Sequence, residues 1–142
     1  MDILQHVIKG ELDRSDATRQ KYSQDASIFK VVPEGVIYPK DTQDLQAIVR
    51  TVAKLRQQGT PISLAARNGG TCMSGGSLTE SLIVDMSRHF NHVGELDKHA
   101  RTLWVQGGVM HTEVEKATQP HGLLFAPYTS SRDICGIGGM IG

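Results

Sequence analysis

Residues 36 to 66 constrain the fold of this chain more than any other stretch. Val36, Ile37 and Tyr38 form a short β-prone run closed by Pro39. Asp41 or Thr42 then caps a helix that carries Leu45, Ile48, Val49, Val52 and Leu55 on one face and stops at Gly59, with Pro61 just beyond. Residues 62–66 read as a buried strand. The helix between the two strands is long enough for a crossover, which favours a parallel pair. A glycine cluster follows the second strand directly.

The flanks give a coarser pattern. Ile3, Leu4, Val7, Ile8 and Leu12 suit an amphipathic helix over residues 1–14 despite Gly10, and residues 15–30 are polar without period, so residues 1–30 read as a helical arm. Beyond the cluster, Leu82–Asp85 and residues 93–96 are β-prone, and a polar turn at 97–100 leads to 102–106, completing a hairpin. A helix over 112–119 ends at Pro120, and 123–125 is expected as a last strand before Pro127 opens a second glycine-containing loop. The expected fold is α+β: the 36–66 unit and the strands at 82–106 build one small mixed sheet with flanking helices. The hairpin argues against a doubly wound domain with an unbroken parallel sheet. No repeat or linker divides the chain.

Composition excludes several function classes. Fifteen basic residues balance fifteen acidic ones, which leaves no electrostatic footprint for nucleic acid. No run approaches the ~18 to 20 apolar residues of a spanning helix, and the amino end lacks a signal peptide's basic start and apolar core, so a cytoplasmic location is expected. Cys72 and Cys135 are too few for a disulfide framework or a four-thiolate metal site. Glycine is the informative residue. Fifteen in 142 exceeds the average usage of about 7%, and the excess gathers at Gly69, Gly70, Gly75 and Gly76, then at Gly136, Gly138, Gly139 and Gly142.

The first cluster, Arg67-Asn68-Gly69-Gly70-Thr71-Cys72-Met73-Ser74-Gly75-Gly76, suits an anion. Residues without Cβ reach positive φ and turn successive N–H groups into one concavity, and Thr71 and Ser74 add hydroxyl donors. Asn68 is expected to tolerate the left-handed region. A P-loop is excluded, because no lysine lies in residues 55–97. A Rossmann fingerprint fails as well: Gly136 and Gly138 fit, but Ile141 occupies the third glycine's position. A tight surface turn is the plainer alternative for one glycine pair. Two clusters with hydroxyls favour a phosphate-bearing cofactor held between loops 67–76 and 127–142.

These residues resemble a known family. Arg67 to Thr71 with Ser74-Gly75-Gly76, then Pro127 to Ser131 and Gly136-Ile137-Gly138-Gly139-Met140-Ile141-Gly142, are similar to the two flavin-diphosphate loops of FAD-linked oxidoreductases of the vanillyl-alcohol oxidase and para-cresol methylhydroxylase type. Tyr22 to Ser27, Val36 to Pro39 and Asp85 to Asn91 resemble recurrent segments of its D-lactate, glycolate and D-2-hydroxyglutarate dehydrogenases. The resemblance implies FAD as cofactor, an FAD-binding domain over 31–142, and hydride transfer to the flavin from a D-2-hydroxy acid such as D-lactate. It places the diphosphate on residues 67–71, with Cys72, Ser74, Gly75 and Gly76 lining the same loop. Pro127, Thr129, Ser131, Cys135, Gly136, Gly138, Gly139 and Gly142 would face the ribityl chain and ring.

The same resemblance sets further expectations. Asn68 stands where the family usually has Gly, and Gly136 where Thr is common. Thr71 holds the place of a histidine that anchors FAD covalently in some relatives, so a dissociable flavin is expected. The substrate-binding part and catalytic histidines would lie beyond Gly142, so no catalytic residue and no metal ligand is assigned here. This chain alone is expected to be inactive and to bind FAD weakly or not at all. A quinone or a second protein would accept the electrons. A non-catalytic module that binds a phosphate ligand or a protein is the competing reading. Cys72 and Cys135 read as small residues suited to a tight loop, and His89 and His92 as surface histidines without a third ligand. His111 and His121 flank a helix and carry no assigned chemistry. Arg67 is the one cation at the first loop.

Overall fold

A computed structural model of the chain describes residues 3–141. It contains α1 (Ile3–Val7), β1 (Glu11–Asp13), α2 (Asp16–Lys21), β2 (Gly35–Tyr38), α3 (Thr42–Gln57), β3 (Leu64–Arg67), β4 (Leu82–Asp85), β5 (Val93–Asp97), β6 (Thr102–Val105) and α4 (His111–Thr118). Two sheets are present among the described residues. The larger has the order β1-β2-β4-β3, and the hairpin β5-β6 stands as a second.

β4 is the centre of the larger sheet. Its four residues are all buried, as the continuous apolar run Leu82-Ile83-Val84 requires of a strand covered on both faces. It pairs in parallel with β2 (Val36↔Ile83) and with β3 (Ala65↔Ile83). The crossover through α3 therefore joins parallel strands, but β4 lies between them, so they are not the adjacent pair that the sequence suggests. Alternation divides the packing. Ile37, Leu82 and Val84 face Ile48 and Val52 of α3 and Leu4 of α1, whereas Val36, Tyr38 and Ile83 face Tyr22 on the other side.

α3 follows its sequence signals closely. The Asp41 carboxylate accepts from the Asp44 amide at 2.9 Å, and Lys54 and Arg56 sit in the last turn. Leu45 and Leu55 pack at the edge of the core, but Val49 is 58% exposed, because it sits about 100° around the helix from Ile48. Asp44, on the buried face, accepts from the amides of Lys9 (2.8 Å), Gly10 (2.9 Å) and Lys40 (2.8 Å). That carboxylate satisfies backbone donors that the turn before α3 and the end of α1 would otherwise bury.

Several expectations are corrected. The helix expected over residues 1–14 stops at Val7, and Leu12 lies in β1, an antiparallel edge strand opposite Ile37. Gly10 explains the break: a Cβ there would stand 2.0 Å from the Tyr38 carbonyl oxygen. The patternless stretch 15–30 contains α2, capped by the Ser15 hydroxyl, and α2 buries none of its own residues, so it has no apolar period to read. The strand expected at 62–66 runs from Leu64 to Arg67. The strands of 82–106 divide between two sheets, the hairpin pairing Leu96 with Leu103 across a bulge. Residues 123–125 form no strand: their alternation is real, with Leu124 75% exposed, but no neighbour offers a ladder. No helix of the described residues is long and apolar enough to cross a membrane.

Candidate functional site

The first glycine loop leaves the carboxyl end of β3 and is held from beneath. Arg67 donates to the carbonyls of Tyr22 (3.0 Å) and Gln24 (2.7 Å), and its guanidinium stacks 5.1 Å from the Tyr22 ring centre. The Gly70 carbonyl accepts from the Ala26 amide at 3.0 Å, and Asp25 takes the Ser77 hydroxyl at 2.9 Å. The Tyr22 hydroxyl in turn donates to Asp85 at the end of β4 (2.8 Å). Burial, with Tyr38 and Asp85 beside it, raises the Tyr22 pKa well above the ordinary tyrosine value. The segment 22–29 is thus the buttress of the loop, a role that only the resemblance of Tyr22 to Ser27 hinted at.

The loop itself turns at Gly70 (φ +68°) and Gly75 (φ +77°), where a side chain would be strained. A Cβ on Gly70 would also stand 2.5 Å from an Arg67 nitrogen, so the cation lies directly under the backbone. Asn68 does not take the left-handed conformation expected of it; its φ is negative, and its side chain is used instead. Among the described residues, the amides of Gly69, Gly70, Thr71 and Cys72 donate to no protein acceptor. Four consecutive free donors over a fixed guanidinium fit an anionic diphosphate. Farther on, the Cys72 sulfur lies 3.3 Å from the Ser74 hydroxyl and accepts from the Gly76 amide at 3.3 Å. The Ser74 hydroxyl, with the amides of Ser74 and Gly76, lowers the thiol pKa.

The second glycine segment packs against the first. A Cβ on Gly69 would meet the Ile134 carbonyl oxygen at 1.9 Å, and a Cβ on Gly136 would meet Asn68 Nδ2 at 1.6 Å. Both glycines are required by this approach and not by a turn. Gly136 also forms an isolated antiparallel bridge with Met110, through His111 N to Cys135 O (3.0 Å) and Ile137 N to Val109 O (2.8 Å). Gly138 donates to the Gly107 carbonyl at 2.9 Å, and Gly139 has open space where a side chain would stand. Upstream, Thr129 Oγ1 lies 3.1 Å from Cys135 Sγ, the Ser131 carbonyl accepts from Ile134 and Cys135 (both 2.9 Å), and Pro127 is exposed. Cys135 is buried, as a small residue in a tight loop should be, and both cysteines are free thiols. Gly142 lies outside the described residues.

Three features escape a sequence reading. Gly108 is a third close-approach glycine: a Cβ there would stand 2.0 Å from the Met86 carbonyl oxygen, whereas one on neighbouring Gly107 would make only an ordinary contact, 3.8 Å from Gly138 Cα. Their adjacency was the available signal. His111 is fully buried, with Nε2 3.0 Å from the Pro127 carbonyl oxygen, so that nitrogen carries the proton and fastens the start of the second segment to α4. Its Nδ1 has no hydrogen-bond partner, the nearest carboxylate oxygen being that of Glu115 at 3.8 Å. The third is a groove of about 430 Å3 of mixed apolar and polar lining, formed by residues of β5, β6, α4 and 122–125 with Arg101. Of the two glycine segments only Ile137 reaches it, so it stands apart from the amide cradle. Among the described residues no cluster of His, Cys, Asp or Glu suits a metal ion, and His89 and His92 form no such group.

Comparison with known proteins agrees with this geometry. Residues 33–142 match the family model described as FAD binding domain. The chain is 35% identical over 133 residues to a D-2-hydroxyglutarate dehydrogenase of Pseudomonas putida, covering 94% of this chain and 13% of that protein. It is 33% identical over 131 residues to the glycolate oxidase subunit GlcD of Bacillus subtilis, covering 91% and 27%. The chain therefore spans a small part of the curated relatives it matches. Among solved structures, wild-type BBE-like 1 of Physcomitrella patens superposes with a TM-score of 0.75 at 19% identity, over 96% of this chain and 29% of that one. An alkyldihydroxyacetonephosphate synthase gives 0.74 at 19% identity, over 90% and 25%. At such identities the likeness speaks for the fold alone. Two apposed glycine segments, free amides over a half-buried guanidinium, and a family match that takes in β2, β3, β4 and both loops lead to one statement: the chain belongs to the FAD binding domain family.

Proposed function

We propose that this chain seats the diphosphate and flavin of a flavin-dependent dehydrogenase that oxidises a D-2-hydroxy acid of the D-lactate kind. The row of free amides from Gly69 to Cys72, set over Arg67 and beside a second glycine segment, is the observation that carries the reading. FAD, when bound, supplies the hydride acceptor. The chain's own part is to bind and orient. Residues 67–76 hold the diphosphate oxygens through N–H groups. Residues 127–142 border the ribityl and ring side, where Gly139 leaves room and His111 fixes the Pro127 carbonyl.

The substrate class follows the relatives. Two are named above, and a D-lactate dehydrogenase [cytochrome] of Kluyveromyces lactis is 32% identical over 97 residues, 66% of this chain. A quinone or a second protein is the proposed electron acceptor. The proposed compartment is the cytoplasm, where both free thiols stay reduced. Residues 1–30 and 31–142 are the proposed arm and FAD-binding domain.

Titration of the whole natural protein carrying this sequence with FAD, followed by flavin fluorescence, tests the cradle. Dye reduction by the whole natural protein carrying this sequence, offered D-lactate, D-2-hydroxyglutarate and glycolate, tests the chemistry. Saturable flavin binding and reduction with one of these acids are expected. A protein that stays colourless with FAD and reduces no dye would overturn the reading in favour of a phosphate-ligand or protein-binding module.

A further inference from the structure

We propose that Asn68 is a positioning residue that locks the two glycine segments together, its amide filling the space that residue 136 yields by being glycine. Asn68 Nδ2 donates to the Gly107 carbonyl oxygen at 2.8 Å, and that same oxygen accepts the Gly138 amide at 2.9 Å. One donor from each glycine segment thus converges on a single carbonyl in the link between β6 and α4. The fit is close on every side. A Cβ on Gly136 would stand 1.6 Å from Nδ2, 2.1 Å from Cγ and 2.7 Å from Oδ1 of Asn68, and a Cβ on Gly138 would stand 2.8 Å from the Gly107 oxygen.

Backbone demand does not explain either residue. Gly136 has φ −101°, which any amino acid adopts, so the absence of a side chain there is dictated by Asn68 and not by a turn. Asn68 itself is not at positive φ, so its amide is used for reach and hydrogen bonding rather than for a left-handed bend. Its Oδ1 is buried without a protein partner. An unsatisfied acceptor is a cost that apolar packing would avoid, which marks the Nδ2 contact as the reason for an amide at this position. The four free amides begin at the next residue. Fixing Asn68 to Gly107 therefore fixes the entry of the cradle relative to the second segment. The role in cofactor binding rests on the flavin reading above; the locking itself does not.

The test separates the two. In the full chain without ligand, amide hydrogen exchange is measured for wild type, Asn68→Ala, Asn68→Asp, Gly136→Ala and the double variant Asn68→Ala/Gly136→Ala, and FAD affinity is measured on each. Asn68→Ala is expected to speed exchange of the Gly138 amide at least tenfold while β2 and β4 keep their protection. Asn68→Asp, which keeps the shape but replaces the donor with a carboxylate facing a carbonyl, is expected to behave like Asn68→Ala. Gly136→Ala is expected to be severe with Asn68 present and mild in the Asn68→Ala background, and FAD affinity is expected to follow the same order. Equal effects of Gly136→Ala in both backgrounds, or Gly138 protection unchanged by Asn68→Ala, would overturn the lock. Loss of Gly138 protection in Asn68→Ala, together with no flavin binding by the whole natural protein carrying this sequence, would sustain the lock and sink the flavin reading.

Discussion

At Gly69 a single methyl group separates two outcomes, because its Cβ would stand 1.9 Å from the Ile134 carbonyl oxygen whereas one on Gly139 would meet nothing within 4 Å. Gly69→Ala is expected to part the glycine segments and weaken FAD binding at least tenfold, about 1.4 kcal/mol, by fluorescence titration. Gly139→Ala should leave the thermal midpoint of the ligand-free chain unchanged. If it also leaves FAD affinity unchanged, Gly139 does not face the cofactor. Cys72 offers a chemical probe of the same loop. Hydrogen bonds from Ser74 and the Gly76 amide lower its pKa, so its alkylation by iodoacetamide should show a pH midpoint below the ~8.5 of a free thiol. Buried Cys135 should react far more slowly, and bound FAD should protect Cys72. A midpoint at the free-thiol value would mean that those hydrogen bonds do not form.

Among the elements, α1 is short but well anchored. Leu4 is fully buried against Ile37 and Ile48, and Leu4→Ala should cost about 2 to 5 kcal/mol in denaturant unfolding. Asp44→Ala removes the acceptor of three backbone amides and should cost about 2 to 4 kcal/mol, whereas breaking the exposed, solvent-screened Lys9–Asp41 ion pair should change stability far less. These elements also mark how far a sequence reading reaches. α3 carries a period of 3.6, the hairpin strands alternate, and β2 and β4 are continuous apolar β-prone runs, which is why their positions can be read directly. β1 is three residues long and exists only because Ile37 and Tyr38 lie beside it, and α2 is held by a cap and by its neighbours without an apolar stripe. Residues 123–125 show the reverse: the local pattern of a strand without a partner. For the site, the glycine clusters announce close backbone approach, but nothing in their spacing says that Gly136 approaches Asn68, or that Arg67 spends its charge on the carbonyls of Tyr22 and Gln24.

Across the whole molecule, pH should act at both ends of its range. Hydrogen bonds from Thr18 and Ser15 hold the Asp13 carboxyl below the ordinary range. Against burial, which pushes it up, Ser27 and Ser77 do the same for Asp25. A depressed folded pKa gives stability that is complete above the unfolded value of ~3.9 and drains as pH falls through the folded one. Tyr22 has the opposite sign: its folded pKa is raised, so its contribution is whole below ~10 and drains as pH rises further. Thermal midpoints are expected to hold a plateau through neutral pH and fall on both sides. Tyr22→Phe should cost about 1 to 3 kcal/mol of unfolding free energy at neutral pH, through loss of the buried bond to Asp85, and flatten the alkaline fall. An alkaline fall unchanged by Tyr22→Phe would assign it to other groups. The place of β4 between β2 and β3 has a consequence for how the protein is made. A chain emerging from the ribosome through Arg67 has the β1-β2 ladder as its only strand pairing, beside α1, α2 and α3, since β2 and β3 do not touch, and the parallel sheet can close only once Leu82–Asp85 has cleared the exit tunnel. Until then the inner faces of Ile37, Ile48 and Leu64 stay open to chaperones, and the first glycine loop is complete in sequence before it has a sheet to stand on.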